Sequence, residues 1–321
     1  MRIALPPVID GSAFAGHDPA APIVTLDGLT MGTRWRVLFV PQPRAGAAAI
    51  RAAIVARLDG IVAEMSHWEP GSLLSKFNRA AAGTWMALPP DFAHVMAAAL
   101  RIAALSEGAF DPAIGRLVDL WGFGPPGPMP APDAPGIIAA RAQSGWHRLA
   151  YDPALRRLRQ PGGVGLDLSG IAKGFAVDAV AGLLQAAGIR HALVEIGGEL
   201  AGFGIRPDGD PWWVDLETPP GIDLRPLRVA LHGLAVATSG DYARGAHNLD
   251  PRTGYPASHG VVSVSVLHAS AMEADAWASA LTVLGPAGLA LADRERIAAR
   301  IVTHDGGAAR EHLSAALGGM L

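Results

Sequence analysis

The chain has 321 residues, and its 26 Lys and Arg against 29 Asp and Glu give a formal net charge of −3. That balance excludes a polybasic nucleic-acid binder, and a composition of 50% hydrophobic and 17% charged residues excludes an intrinsically disordered chain. With no cysteine, disulfides, thiolate metal sites, Fe–S clusters and cysteine nucleophiles are excluded too.

At the N-terminus, Ile3 to Ile9 is apolar and Ala13-Phe14-Ala15 resembles a cleavage site, but Pro6, Pro7 and Asp10 make this a poor signal sequence. Residues 1–22 are expected to be an irregular extension and 23–321 a single domain. Ile23 to Val40 alternates apolar and polar residues around Gly28 and Gly32, which predicts strands and turns. Ile50, Ile54, Leu58, Ile61 and Met65 recur at helical spacing, so a helix is expected over Ala47 to Met65. Ser66 to Pro90 reads as irregular. Asp91 then caps a helix carrying Phe92, Val95, Met96, Leu100 and Ala103. That segment, Ala93 to Leu105, is the best apolar run, yet Arg101 cuts it well short of the roughly 20 residues of a bilayer span. No membrane span is expected. Gly122 to Gly136 is rich enough in proline and glycine to be a loop.

Beyond Tyr151 short strands dominate, at Leu193 to Ile196, Trp212 to Leu216, Leu227 to Leu231, Val261 to Val266 and Ile297 to Val302, with helices over Ala172 to Ala187 and Ala271 to Leu284. Strands in consecutive pairs predict an α+β fold with largely antiparallel sheets flanked by helices.

Familiar chemistry is missing. The single G-x-G-x-x-G, from Gly122 to Gly127, contains Pro125 and Pro126, which remove the amide donors a pyrophosphate would need. There is no Walker loop, no G-x-S-x-G and no H-E-x-x-H.

Three dense polar motifs remain. In Leu166-Asp167-Leu168-Ser169-Gly170-Ile171-Ala172-Lys173-Gly174-Phe175-Ala176-Val177-Asp178, a strand end is expected to deliver Asp167, and Lys173 sits in the first turn of a helix whose N-terminus suits an anion; a solvated lysine is the plain alternative. Thr238-Ser239-Gly240-Asp241-Tyr242 and His247-Asn248-Leu249-Asp250-Pro251-Arg252 read either as a surface hairpin or as a loop presenting His247, whose imidazole can take a proton from a hydroxyl near neutral pH. His67, His232, His259 and His268 have no such polar company and are assigned core or surface roles. On the last helix Asp275 and Ser279 are four apart and share one face, a carboxylate and a hydroxyl that suit Mg²⁺ better than zinc, or simply bond within the helix.

In order, these motifs resemble the FAD:protein FMN transferase family, formerly described as thiamine-biosynthesis lipoproteins. The resemblance begins at Met31-Gly32-Thr33 and runs through Met65-Ser66-His67-Trp68-Glu69-Pro70, Ser72, Ser75, Phe77 and Asn78. It continues through Gly108-Ala109-Phe110-Asp111-Pro112, Trp121-Gly122-Phe123-Gly124, the three motifs above and Ile196-Gly197-Gly198-Glu199. Each motif alone is weak; the ordered set is specific.

The resemblance implies a two-lobed domain with an FAD cleft between the lobes, and Mg²⁺-dependent transfer of FMN from FAD to a Thr or Ser hydroxyl of a partner protein, releasing AMP. It places Mg²⁺ ligands at Asp275, Ser279 and the carbonyl of Gly170, and FAD contacts at Met31, Trp68, Ala109, Phe110, Asp111, Asp167, Lys173 and Leu249. His247 matches the base proposed for the acceptor hydroxyl. Ser279 stands where the family usually has Thr, and Trp68 where Tyr is more usual. The acceptor motif resembles Ser-Gly-Ala-Thr or Thr-Gly-Ala-Thr, and neither string occurs in this chain, so self-flavinylation is not expected. The competing readings are a Mg²⁺-dependent FAD pyrophosphatase and a non-catalytic flavin-binding protein. Without a cysteine for a lipid anchor, a cytoplasmic member is expected, with a periplasmic one as the alternative.

Overall fold

The computed structural model describes residues 1–9, 11–15, 17–42, 46–240, 248–305 and 307–321. The chain opens with β1 (Arg2–Ala4), then β2 (Val24–Thr30), β3 (Thr33–Phe39), α1 (Ala47–Met65), α2 (Leu73–Arg79), β4 (Trp85–Ala87) and α3 (Pro90–Leu105). The middle part holds α4 (Gly115–Leu120), α5 (Ala134–Ala142), β5 (Ala150–Asp152), β6 (Arg157–Arg159) and α6 (Ala172–Ala186). Next come β7 (Ala192–Ile196), β8 (Glu199–Phe203), β9 (Trp212–Asp215), β10 (Leu227–Leu231), β11 (Leu234–Gly240) and β12 (Val261–His268). The chain closes with α7 (Ala271–Leu284), α8 (Leu289–Arg294), β13 (Ala298–Asp305), β14 (Ala308–Leu313) and α9 (Ala315–Gly318).

One large sheet, in the order β14-β13-β12-β11-β8-β7-β3-β2, is antiparallel throughout, which bears out the α+β expectation. Its alternation sends Trp35, Val37, Phe39, Val194, Ile196, Val264 and Val266 into one core with α1, α3, α6 and α7. The other face carries Leu193, Val236 and Leu267 into a second core under the small sheet β1-β10-β9. β4, β6 and β5 form a third sheet.

Several expectations need correction. Ser66 to Pro90 is not irregular, because Ser72 caps α2 by accepting the Ser75 N–H at 3.0 Å and β4 pairs with β6. Asp91 does not cap α3: Pro89 occupies the N-cap and the next proline starts the helix, while Asp91 pairs with Arg57. The loop after Gly122 ends at α5, which Asp133 caps through the Gly136 N–H at 2.9 Å. The first 22 residues are not wholly irregular, since β1 adds to β10 as a parallel strand and Leu5 N–H donates to the Met320 carbonyl at 2.9 Å. Strands β8, β11 and β14 escaped the sequence pattern. The stretch Ala271–Arg294 is long and apolar enough to cross a membrane by composition, but 61% of its most apolar window is buried inside the protein. That is the behaviour of a core helix.

Candidate active site

Asp167 does not lie at a strand end as expected: among the described residues no strand is formed between β6 and α6, and two hydrogen-bonded supports hold this segment instead. Asn78 clamps Leu166 from both sides, donating from Nδ2 to its carbonyl at 3.0 Å and accepting its N–H at 2.7 Å. Asp167 Oδ1 accepts the Ser169 N–H at 2.7 Å, a local turn that aims the chain into α6. Lys173 therefore emerges in the first turn of α6, as expected.

Helices α6 and α7 cap each other. Asp275 of α7 accepts the Gly174 N–H of α6 at 3.0 Å, while Asp178 of α6 accepts N–H groups of Ala271 and Met272 and the Ser270 hydroxyl at the start of α7. Each carboxylate sits at the positive end of the other helix. The close approach demands glycine, because a Cβ on Gly174 would lie 2.8 Å from that of Asp275. The anion at the start of α6 is thus first of all the protein's own carboxylate.

Around this junction lie one ammonium and two buried carboxylates. Lys173 Nζ pairs with Glu199 Oε1 at the start of β8, and Glu199 Oε2 is buried without a hydrogen-bond partner among the described residues. Burial pushes both carboxyls above the usual range; Lys173 opposes the shift in each, and the charge of Asp275 adds to that of Glu199. Among the described residues these two carboxyls share the influence of one ammonium.

Gly170 faces Ser279: a Cβ there would come within 2.7 Å of the Ser279 Oγ. The buried Asp275 carboxylate, the Ser279 hydroxyl one turn on and the main chain of Gly170 thus form a set of hard oxygen donors. Among the described residues no group of three or more His, Asp, Glu or Cys side chains forms a metal site. A set of one carboxylate and one hydroxyl beside a main-chain segment is of a different kind, and such hard oxygen donors suit a divalent cation.

Two cavities meet here. The larger, about 780 Å³, is lined by Trp68, Ala109, Phe110, Asp111, Asp167, Gly170, Lys173, Leu249, Asp275 and Ser279, so it gathers most of the residues selected from the sequence. The smaller, about 620 Å³, is lined by Met31, Trp68, Ser169, Lys173 and Met65 among others. Met31 reaches it from the β2–β3 turn, where Met31 and Gly32 both take positive φ, 48° and 70°. Trp68, Ser169 and Lys173 border both cavities. Asp111 is tied down by the N–H groups of Ala113 at 2.7 Å and Trp146 at 3.0 Å, and burial pushes its carboxyl up to about 6 against those two bonds. Leu249 is 5% exposed beside the larger cavity. His247 lies outside the described residues.

Sequence reasoning missed two members. His67 is not without polar company: its Nδ1 lies 3.4 Å from Asp167 Oδ1, and its ring lies against the exposed Trp68 at 5.3 Å between centroids. Only tertiary contact brings 67 to 167. Glu199 was visible in the Gly-Gly-Glu motif, but nothing local in the sequence marks its pairing with Lys173.

The model of the ApbE family matches residues 31–301. The chain belongs to the ApbE family. Two curated relatives, each named FAD:protein FMN transferase, come from Klebsiella pneumoniae and Vibrio cholerae. The first is 37% identical over 288 residues, 86% of this chain and 82% of the relative. The second is also 37% identical, over 308 residues, 91% of this chain and 92% of the relative. Among solved structures, the apo form of the Pseudomonas stutzeri flavinyl transferase ApbE superposes with a TM-score of 0.87 at 36% identity, covering 94% of this chain and 97% of that one. The Vibrio cholerae flavin transferase ApbE gives 0.86 at 35% identity, covering 94% and 100%.

Proposed function

We propose that this ApbE-family chain is a Mg²⁺-dependent FAD:protein FMN transferase that joins FMN through a phosphoester bond to a Thr or Ser hydroxyl of a partner protein. It is a transferase enzyme, and FAD is its flavin donor. The observation that carries the reading is Lys173, which borders both cavities at the start of α6 beside the buried Asp275 and Glu199.

The FAD cleft is read as the two cavities together. The adenosine half sits against Met31 and the exposed face of Trp68, and the flavin half lies among Phe110, Asp111 and Leu249. The pyrophosphate then lies at the junction, where Lys173 binds its oxygens and Asp167, held by Ser169 and His67, borders it. Asp275, Ser279 and the Gly170 carbonyl would hold Mg²⁺, which when bound offsets the negative charge on the phosphoryl oxygens. His247 takes the proton from the acceptor hydroxyl. The hydroxyl oxygen bonds to the FMN phosphorus, the bond from that phosphorus to the bridging oxygen breaks, and AMP leaves with that oxygen. An acceptor segment like Ser-Gly-Ala-Thr supplies the hydroxyl.

The test is incubation with FAD, Mg²⁺ and an acceptor protein, followed by covalent flavin fluorescence of the acceptor and assay of AMP. Stoichiometric AMP and bound flavin support transfer, AMP with free FMN supports a pyrophosphatase, and neither product supports a passive binder. His247→Ala is expected to keep FAD binding and lose transfer by on the order of 10²-fold.

A further inference from the structure

The larger cavity does not end at the phosphate junction. It passes over the Gly197-Gly198 turn that joins β7 to β8 and opens on the other face of the large sheet, beside Arg36, Glu195 and Leu200. Across that opening stands β9, and five consecutive residues, Trp213 to Glu217, line the cavity. Side chains of a strand alternate between faces, so a cavity touching every residue in succession runs along the backbone edge.

That edge is unpaired among the described residues. The small sheet runs β1-β10-β9, so β10 covers one side of β9 and no described strand covers the other. Leu216 N–H donates to the Leu227 carbonyl at 2.8 Å, which fixes the alternation of the antiparallel ladder. Leu216 and Val214 turn their amides toward β10, so Trp213 and Asp215 turn theirs toward the cavity. A free strand edge is a template for an extended chain.

We infer that the acceptor polypeptide docks as an added strand on the β9 edge, with main-chain bonds to Trp213 and Asp215, and so delivers its hydroxyl to the phosphate junction. This rests on the transferase reading above. In a phosphoryl displacement the attacking oxygen enters roughly in line with the leaving one. With the adenosine half in the smaller cavity, the acceptor must come from the larger cavity's far side, where β9 lies. Recognition through the main chain also explains how small residues such as Gly and Ala can flank the reacting hydroxyl, since they offer little side chain to bind.

The test uses the whole protein, FAD, Mg²⁺ and a synthetic peptide carrying Ser-Gly-Ala-Thr, compared with the same peptide N-methylated at one backbone amide at a time. Strand addition predicts that KM for the peptide rises by on the order of tenfold at alternate amides and changes little between them. On the protein, Asp215→Pro removes an outward amide without breaking the β9–β10 ladder and should raise the peptide KM similarly, with FAD affinity kept. Arg228→Ala, which loses the ion pair to Asp215 from the β10 side and leaves the β9 edge intact, should leave that KM unchanged. If wild-type protein labels the peptide and neither N-methylation nor Asp215→Pro alters KM with a period of two, strand docking is overturned and the transferase reading stands. If wild-type protein labels no peptide and no acceptor protein, both are overturned.

Discussion

Among the described residues, two partly buried charge clusters differ in sign. Where β1 meets β13 and β14, one carboxylate serves two guanidiniums: Glu311 accepts from Arg2 and from Arg300, which lies fully buried. Burial would raise the Glu311 carboxyl, but hydrogen bonds from both arginines outweigh it and hold the group below its usual value. Spare arginine N–H groups reach main-chain carbonyls of Arg225 and Glu217. At the start of α6 the Lys173 ammonium pairs with Glu199 and acts on buried Asp275 through its charge, yet burial pushes both carboxyls upward. The first cluster keeps Arg2 Nε and Arg300 Nη2 buried without a hydrogen-bond partner among the described residues, and none of its three side chains lines either cavity. The second lines the larger cavity, where Glu199 Oε2 has no hydrogen-bond partner among the described residues.

That contrast can be broken by substitution. Asp275→Asn should lower FMN transfer by on the order of 10²- to 10³-fold, because the only carboxylate of the oxygen set is lost. It should not lower the melting temperature of the unliganded protein, because asparagine still accepts the Gly174 N–H and a costly buried charge is gone. Glu311→Ala should do the reverse, costing about 3–5 kcal/mol of stability by stranding Arg300, with kcat unchanged in the protein that remains folded. Glu311 also sets a pH dependence. Its folded pKa is depressed, so its contribution is complete above the ordinary value of 4.5 and is lost as pH falls below it, as denaturant titrations from pH 6 to 3 would read.

Smaller effects sharpen the same contrast. Lys173→Ala should raise the Kd for FAD by roughly tenfold, measured by flavin fluorescence, through loss of a charge-assisted contact. Ser279→Ala should raise the Mg²⁺ concentration needed for half-maximal transfer and Ser279→Thr should leave it near the wild-type value, since threonine keeps the oxygen. Asp111 runs opposite to Glu311. Its folded carboxyl lies at about 6, above the ordinary 3.8, so the stability it contributes is complete below 3.8 and is lost as pH rises through about 6. Asp111→Asn should flatten stability between those values.

What was legible in the sequence follows the range of the signal. The period of α1 and the apolar run of α7 are local patterns, and both helices lie where those patterns place them. The strand β8 was missed because its two flanking glycines and Gly202 dilute the alternation, although Glu199 at its first position proves central. Residues matched through the ordered motifs, such as Met31, Phe110, Lys173 and Asp275, do line the two cavities. What no local pattern could give is partnership across the chain. Asp275 is selected from the sequence as a metal ligand and Asp178 only as the end of a motif, and only packing of α6 on α7 turns each into the other helix's cap.

The account stands most directly on one measurement: the intact mass of an acceptor protein after incubation with FAD, taken with a chelator present and again after Mg²⁺ is restored, for the wild-type protein and Asp275→Asn. The cluster at Lys173, Glu199 and Asp275 predicts that chelation abolishes the added FMN mass, that Mg²⁺ restores it in the wild type, and that the variant stays unlabelling in both conditions. Full labelling in chelator, or wild-type labelling by Asp275→Asn, would contradict the assignment of this cluster to a metal-assisted flavin transfer site.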